Sequence, residues 1–387
     1  MSSLPEYPLS ALLAPVTPEH FRAGIEGRAP LHIPAEGGSG DVRRALLDWD
    51  TFNGLLGQSA IWTHSTLQLV HSGNQLPAEH YCAEVQTMSG PVVRPSPAKV
   101  QVMMAMGATV IANDVGTLTP SLRAVCDTLR TTYAASVAAN VYCSFQGVQG
   151  FGPHYDTHDV FAVQTEGEKV WRLYRNREPD PVDYPGEGEE VRRYLASACG
   201  PVIQEVRMRP GDVLYIPRGW YHDALAVDGP SLHVTLSVTP LYGRILFRLL
   251  ESAAMQDPAF RAWLPPAAED GGKPLARQLA DLGQRLATLS ASPAFAEEIA
   301  MTQQRLMGRA SDYRLPERLS LTRYSPTGLM PPAVRGPAAV AMDWAMAQPR
   351  FVLEDMIAQF DFVPEDDLRA AVEAAVSAGA LKSVSGP

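Results

Sequence analysis

The segments 150–174, GFGPHYDTHDVFAVQTEGEKVWRLY, and 209–224, RPGDVLYIPRGWYHDA, decide the fold of this chain. Both contain short runs rich in β-branched and aromatic residues, and such runs bounded by turn residues are typical of β-strands. The sequences PGD at 210–212 and PRG at 217–219 predict tight turns on either side of a buried strand at 213–216. The pattern predicts that these segments are strands of one β core.

Three side chains in these segments match a known metal-ligand set. His154 and Asp156 lie two residues apart in a strand-like run, which predicts side chains on the same face, and His222 follows the second run. Two imidazoles and one carboxylate are the facial ligand set of non-haem Fe(II) oxygenases, which leaves three coordination positions open. The alternative is that both histidines are structural polar residues at strand ends, with their hydrogen bonds satisfied locally.

The cysteines argue against a closed structural zinc site. Such a site uses four protein ligands, usually with cysteine pairs in a CxxC pattern. The chain has four cysteines, at 82, 126, 143 and 199, and none forms that pattern near either segment. The ligand set therefore favours an open, catalytic metal.

Two further histidines compete for the metal. His158 lies four residues beyond His154, and on an extended strand it would stand roughly 13 Å further along, too far to share the ion. His233 lies in SLHVTLS, where alternation places it on one face with Thr235 and Ser237. We expect His233 to support the site or the fold, with a role as metal ligand the weaker interpretation.

The motifs NVY, PHYD, VFAVQTEGEKVWRLY, GDVLYIPRGWYH and SLHVTLS resemble, in order and spacing, the JmjC branch of the cupin superfamily. The resemblance covers about 138–240 and is strongest to the ribosomal oxygenases, which are Fe(II)- and 2-oxoglutarate-dependent protein hydroxylases that also use O2. It implies a mainly β fold with α additions, built on a double-stranded β-helix of the jelly-roll or cupin type.

The resemblance also implies roles for individual residues. His154, Asp156 and His222 would hold Fe(II), and Lys169 would bind the far carboxylate of 2-oxoglutarate. A buried ammonium needs an anionic partner, which fits that role, although Glu166 and Glu168 could pair with Lys169 on the surface instead. Three polar residues would surround the cosubstrate and substrate: Asn140, Tyr142 and Ser237.

Composition is that of an ordinary globular protein. The chain has 387 residues, of which 46% are hydrophobic and 19% charged, with a net charge of -10. The N-terminal sequence lacks the features of a secretory signal and no stretch is apolar enough to span a bilayer, so a cytoplasmic location with reduced cysteines is expected. The negative charge makes direct nucleic-acid binding unfavourable and favours a basic polypeptide or a small molecule as the partner.

Local patterns predict elements outside the metal motifs. Thr17 is expected to cap a helix, and Asn176–Gly200 is interpreted either as a lid or substrate-facing loop or as a solvated connector. Strands are predicted at 30–33, 61–70 and 107–113, and helices at 50–56, 118–134, 189–197, 241–255, 274–289 and 294–306.

The resemblance extends to the C-terminal part. It divides the chain into a catalytic domain with N-terminal elements at 1–242, a helical dimerisation region at 243–313, and a linker with a winged-helix-like domain at 314–387. A homodimer is therefore expected, although helices that only cover the barrel would give the same pattern. In the last domain, helices are predicted at 351–360 and 364–378, with Gly379 ending the second helix before a strand at 381–384.

The resulting functional hypothesis is a dioxygenase that hydroxylates an amino-acid side chain of a protein or peptide, with a ribosomal protein as one candidate. The same chemistry on a peptide natural product, a small metabolite or a modified RNA base remains an alternative. Demethylation of methyl-lysine is a further variant, and a metal-binding cupin module without catalysis is the non-enzymatic reading. The sequence does not identify the target residue.

Overall fold

The computed structural model describes residues 7–145, 151–186, 188–226, 229–307 and 322–383. Its contacts divide the chain into two compact units, Met1–Ala310 and Ser311–Pro387. The helices at 245–307, which follow the sheets in sequence, belong to the first unit.

The first unit combines β-strands with helices on its outer side. Its strands are β1 (Leu31–Ile33), β2 (Leu67–His71), β3 (Asn74–Gln75), β4 (Cys82–Thr87), β5 (Gly90–Pro95), β6 (Thr109–Ala112), β7 (Ala135–Ser144), β8 (Asp159–Glu166), β9 (Lys169–Arg177), β10 (Val202–Met208), β11 (Val213–Ile216), β12 (Trp220–Ala226) and β13 (Ser231–Pro240). Its α-helices are α1 (Leu9–Leu13), α2 (Pro18–Gly24), α3 (Gly37–Arg44), α4 (Trp49–Gly57), α5 (Ala78–Tyr81), α6 (Pro97–Ala105), α7 (Pro120–Tyr133), α8 (Glu189–Ala198), α9 (Ile245–Ala254), α10 (Lys273–Ser290) and α11 (Pro293–Met307).

Two antiparallel sheets position the site. The large sheet has the order β1-β11-β8-β13-β7-β6-β2-β3, and the small sheet has the order β10-β9-β12. Apolar side chains of β8 and β11, such as Val160 and Leu214, pack against side chains of β9 and β10, such as Trp171 and Met208. The two sheets therefore face each other across a shared interior, as the cupin-type resemblance implies.

The main hydrophobic core lies between the large sheet and the helices. Leu122, Val125 and Leu129 recur at helical spacing on α7, and they join Val141 of β7 and Leu236 of β13 in one buried cluster. This packing covers one face of the large sheet and leaves its other face to the interior shared with the small sheet.

Several expected elements form at the expected places. Thr17 begins α2, its side chain accepting a hydrogen bond from the backbone N–H of His20. The helices expected near 50–56 and 118–134 are α4 and α7.

The strand expected at 61–70 is wrong in its first half, because β2 begins at Leu67. Before it, Thr63 bonds locally through its hydroxyl to Ser65 and Thr66. Such local hydroxyl bonds offer the backbone an alternative to sheet pairing.

The second unit is a small α/β unit with its own core. It contains β14 (Arg323–Pro326), α12 (Pro337–Ala347), β15 (Phe351–Val352), α13 (Leu353–Gln359), α14 (Glu365–Ser377) and β16 (Leu381–Ser383). The strands form a sheet in the order β15-β14-β16, and helical side chains such as Met342, Met356 and Val372 fill the core above it.

Some elements of this unit differ from those predicted from the sequence. Phe351 and Val352 pair with β14 as a strand, so the helix expected from 351 begins only at Leu353. Both β14 and α12 fall where a linker or no definite element was expected. Gly379 has φ +75° at the end of α14, as expected of a helix-terminating glycine, while position 384 lies outside the described residues.

No helix in the described part of the chain has the length and apolarity that crossing a membrane requires.

Candidate metal centre

His154 and His222 meet through their backbones. The N–H of each donates to the carbonyl oxygen of the other, at 3.0 and 2.8 Å, and the pair forms an isolated antiparallel bridge. His222 also lies on β12, where it is paired with Leu173 of β9. This double pairing brings the two imidazole rings to 4.5 Å between centroids.

The third member of the group is Asp156. One ligand atom each from His154, Asp156 and His222 lies within 4.8 Å of the other two, and His222 Nε2 is 3.5 Å from Asp156 Oδ2. His222 is buried, and the other two are half-buried at the cavity wall. The three side chains converge as one metal site requires.

Hydrogen bonds fix the orientation of both imidazoles. His154 Nδ1 lies 2.9 Å from the carbonyl oxygen of Gly152, and His222 Nδ1 lies 2.8 Å from that of Trp220. Because a carbonyl oxygen only accepts, we assign the proton to Nδ1 in each ring, which leaves the Nε2 lone pair available to a metal. The donor set therefore fits a metal ion.

The charges of the group also suit a metal. Burial, together with the neighbouring His154, lowers the pKa of His222 to about 4, so its imidazole is neutral near pH 7. Burial opposes ionisation of Asp156, but His158, His222 and His154 outweigh it and hold the pKa of that carboxyl below its ordinary value. Neutral imidazoles and an ionised carboxylate are the ligand forms that bind metal.

The turns predicted from PGD and PRG support this geometry. Gly211 has φ +94° and Asp212 accepts hydrogen bonds from the backbone N–H groups of Ala35 and Arg209. Gly219 has φ +83°, and a Cβ there would lie 2.1 Å from the carbonyl oxygen of Glu178, so only glycine fits. Its N–H donates to the carbonyl oxygen of Asp156 at 2.8 Å, which ties the turn to the metal site.

A buried ion pair reinforces the strand that carries His222. Asp223 is fully buried, and Arg172 of β9 binds its carboxylate through two nitrogens. Tyr174 adds a hydrogen bond of 3.0 Å to the same carboxylate. A bidentate guanidinium–carboxylate pair with a third donor fixes the register of β9 and β12 next to the ligand.

The strand expected through His154 and Asp156 is wrong, because β8 begins only at Asp159. His154 makes a single bridge, and the backbone around it is irregular. The premise for excluding His158 by its distance along a strand therefore fails, and His158 is close enough to lower the pKa of Asp156. Its ring is nevertheless outside the described ligand group.

A cavity of about 560 Å³ opens at the metal group. All the site residues expected from the sequence line it: His154, Asp156, His222, Lys169, Asn140, Tyr142 and Ser237. In the sequence these residues lie on four strands, β7, β9, β12 and β13, and in the segment before β8. The fold brings them together at one cavity.

Lys169 is a buried cation in this cavity. It is 6% exposed, and no ion pair among the described residues joins it to a carboxylate. Glu168 instead pairs with Arg207 and Arg209 on the surface. Burial lowers the pKa of Lys169 to about 8, against a small opposing effect of Cys143. An anionic ligand in the cavity would relieve this cost.

The remaining polar residues surround Lys169. Its Nζ lies 5.9 Å from the ring centroid of Tyr142, and that ring stacks on His233 at 4.8 Å and 4°. Burial and then the charge of Lys169 push the pKa of His233 well below its ordinary value. Asn140 lines the same wall and accepts a hydrogen bond from the backbone N–H of Asp114 through Oδ1.

No individual residue of the insertion was predicted from the sequence to belong to the site. Tyr184, Val191, Arg192 and Leu195 line the cavity, so the segment is a wall of the site and the connector interpretation is wrong. Trp171 was also missed; its ring lies 5.9 Å from that of His222. Its alternation with Lys169 along β9 was the signal that could have identified it.

The fold and the ligand group define the class of protein. Residues 117–244, about a third of the chain, match the family model of the JmjC domain.

Curated relatives carry oxygenase names. The chain is 30% identical over 264 residues to the bifunctional lysine-specific demethylase and histidyl-hydroxylase NO66 of Dictyostelium discoideum, covering 66% of this chain and 49% of that protein. It is 31% identical over 265 residues to ribosomal oxygenase 1 of Rattus norvegicus, covering 66% of this chain and 41% of that protein. The chain thus spans about half or less of the length of these relatives.

Solved structures give the same fold. A structure of YcfD, a ribosomal oxygenase from Escherichia coli, matches 98% of this chain and 100% of that chain with a TM-score of 0.50 and 16% identity. Similarity at this level of identity establishes the fold alone, a JmjC cupin-type fold with a large antiparallel sheet and helices.

Proposed function

We propose that this chain is an Fe(II)- and 2-oxoglutarate-dependent oxygenase that hydroxylates an amino-acid side chain of a protein or peptide. The convergence of His154, Asp156 and His222 on one point of the cavity wall carries the proposal. The names of the curated relatives support the substrate class, with a ribosomal protein as the first candidate. A bound ferrous ion with 2-oxoglutarate and O2 would supply the oxidising power for inserting oxygen into a C–H bond.

The chain's own residues would bind and orient the reactants. His154, Asp156 and His222 would hold the metal, with their outer nitrogens fixed by backbone carbonyls. The ammonium of Lys169 would bind the far carboxylate of 2-oxoglutarate. We assign Asn140, Tyr142 and Ser237 to the surroundings of the cosubstrate and substrate, where their polar groups would fix orientation.

The charge of the cavity favours hydroxylation over demethylation of methyl-lysine. Among the described residues that line the cavity, Asp156 is the acidic one, and it belongs to the ligand group. Lys169 and Arg192 are cationic there. A methyl-lysine cation would find no free carboxylate among these residues, and Arg192 would repel it, whereas a neutral side chain would not be repelled.

Mass spectrometry tests this proposal. The protein is incubated with Fe(II), 2-oxoglutarate and 20-residue peptides that tile the ribosomal proteins, and succinate and peptide masses are measured. We expect succinate formation and a peptide heavier by about 16 Da, the mass of one oxygen atom. A product lighter by about 14 Da, the mass of one lost methylene, on methylated peptides would support demethylation instead. No succinate under any condition would refute the oxygenase assignment.

We further propose that the helices α9 to α11 form a homodimer interface. Along α10, all of which is described, no residue is buried, although Leu275, Leu279, Leu282 and Leu286 share one face. Phe247 of α9 is 74% exposed and Trp263 is 95% exposed. Large apolar side chains that are exposed together on one surface are typical of a surface that a second chain covers.

A charge on the apolar face of α10 tests the dimer. Leu279 is 51% exposed, so Leu279→Glu should leave the folded protomer intact while placing a carboxylate in the apolar interface. We expect size-exclusion chromatography with light scattering to give a dimer for the native protein and mainly monomer for the variant. Arg277→Glu, on an exposed position of the same helix, is the charge control; equal dissociation by both variants would contradict the apolar interface.

Three further assignments are part of the proposal. We assign the second unit a winged-helix-like fold and a role in protein contacts. Its helix α14 begins with Glu365, Asp366 and Asp367, which would repel phosphate. The same charges make direct nucleic-acid binding by this unit unfavourable. A cytoplasmic location suits an oxygenase that acts on ribosomal proteins.

The affinity for 2-oxoglutarate should depend on pH through Lys169. Burial lowers its pKa to about 8 in the free protein, so its ammonium loses the proton as the pH rises through 8. Because the carboxylate binds the charged form, the KM for 2-oxoglutarate should be constant below that pH and rise by up to about tenfold per pH unit above it. In Lys169→Arg the guanidinium stays charged, and this rise should disappear. A rise of equal steepness in the variant would assign the titration to another group.

A further inference from the structure

The insertion between the two halves of the metal site packs against neighbours of the metal ligands. Tyr155 lies between His154 and Asp156, and its ring is 5.2 Å from that of Tyr221, which precedes His222. Tyr184 of the insertion lies 5.4 Å from Tyr155, and Leu195 of α8 is buried in the same cluster. Tyr184 and the buried face of α8 therefore fix the insertion to the metal site.

The exposed face of α8 makes a weaker contact. Arg192 of α8 is exposed at the cavity mouth, and its guanidinium donates a hydrogen bond of 2.9 Å to Oδ1 of Asn74 on β3. Gly73 and Gln75, on either side of Asn74, also line the cavity. The hydrogen bond therefore joins two segments that line the cavity, and an exposed contact of this kind is easily exchanged for another.

The acceptor on Asn74 is a side-chain amide oxygen, which is chemically similar to a peptide carbonyl oxygen. A side-chain amide oxygen and a main-chain carbonyl oxygen accept the same hydrogen bonds from a guanidinium. We expect a peptide that brings one side chain to the metal to run its backbone across the cavity mouth, which α8 and the β2–β3 turn line. Its carbonyl groups would then pass within reach of Arg192.

On the basis of the proposed function, we infer that Arg192 is a substrate-recognition residue, whose guanidinium exchanges Asn74 for a main-chain carbonyl oxygen of the peptide substrate. In the free protein Asn74 accepts the hydrogen bond of the guanidinium, and it therefore competes with the peptide for that donor. The alternative is that the hydrogen bond between the two residues only fixes the insertion in place, in which case either partner would be equally necessary.

Three variants separate these roles: Arg192→Met, Asn74→Ala and Arg193→Met. Arg193 is the matched control, since it is exposed on the same helix and does not line the cavity. The probe is the set of 20-residue ribosomal peptides, with Fe(II) and 2-oxoglutarate present, and the readout is KM and kcat for the peptide that wild type modifies most. We expect Arg192→Met to raise the peptide KM by about 3–10-fold with little change in kcat, because the hydrogen bond is exposed and replaces the one to Asn74.

The control variants decide the outcome. With Asn74→Ala the peptide KM should stay the same or fall, and with Arg193→Met it should not change. Equal rises for Arg192→Met and Asn74→Ala would show that the pair only holds the insertion, and would overturn the inference. Succinate formation by wild type without any modified peptide would also overturn it while leaving the oxygenase class intact. Absence of succinate from wild type would instead refute the proposed function on which it rests.

Discussion

Replacing Asp156 or His222 with alanine is expected to abolish stoichiometric Fe(II) binding and, with it, succinate formation from 2-oxoglutarate. Each variant removes one of the described side chains whose ligand atoms lie within 4.8 Å of one another. Loss of an outer hydrogen-bond partner of a ligand already costs about 10–100-fold in affinity, and loss of a ligand itself should cost more. Anaerobic titration with Fe(II) measures binding directly, and succinate is measured under oxygen.

His158→Ala is the matched control for these ligand variants. His158 lines the same cavity and contributes charge near Asp156, but its ring is outside the ligand group. We expect one Fe(II) per chain to be retained in this variant. If His158→Ala lost the metal while Asp156→Ala kept it, the assignment of the ligands would be wrong.

Lys169→Ala is expected to raise the KM for 2-oxoglutarate by about 10²–10⁴-fold. Removing one partner of a buried charge pair costs about 3–5 kcal/mol, and each 1.4 kcal/mol is a factor of ten in affinity. Lys169 is 6% exposed and has no carboxylate partner among the described ion pairs, so the far carboxylate of 2-oxoglutarate would be its partner. Initial rates of succinate formation at rising 2-oxoglutarate concentration measure the effect.

A second measurement separates this role from a structural one. If Lys169 binds the cosubstrate, saturating 2-oxoglutarate should restore much of the succinate rate in Lys169→Ala, and Fe(II) binding should be kept. Lys169→Arg preserves the charge and should lie between wild type and alanine. An unchanged KM in Lys169→Ala would show that another residue binds the carboxylate.

The strands around the site were predictable because their patterns are local. The alternation in β13 places His233 and Ser237 on one face, and its pairing with β7 sets His233 beside Tyr142. The turns at Gly211 and Gly219 were predictable from the conformations that their sequences favour. The resemblance, rather than the local pattern, indicated that distant residues such as Asn140 belong to the same cavity.

Errors arose where tertiary pairing overrides a local pattern. Phe351 begins a run of helical spacing, but it pairs with Tyr324 of β14, a partner 27 residues earlier that no local signal announces. His154 looked like part of a strand, yet its pairing is a single bridge to His222. The role of Arg192 was not readable for the same reason, because its partner Asn74 lies 118 residues away.

The central claim is that one metal ion binds to His154, Asp156 and His222 together. Crystals grown without oxygen in the presence of Fe(II), with anomalous data at the iron edge, test it most directly. We expect one anomalous peak bonded to Nε2 of both histidines and to the carboxylate of Asp156, at about 2.1 Å as is usual for metal–ligand bonds. A peak bonded to other residues, or no peak at these three, would contradict the account.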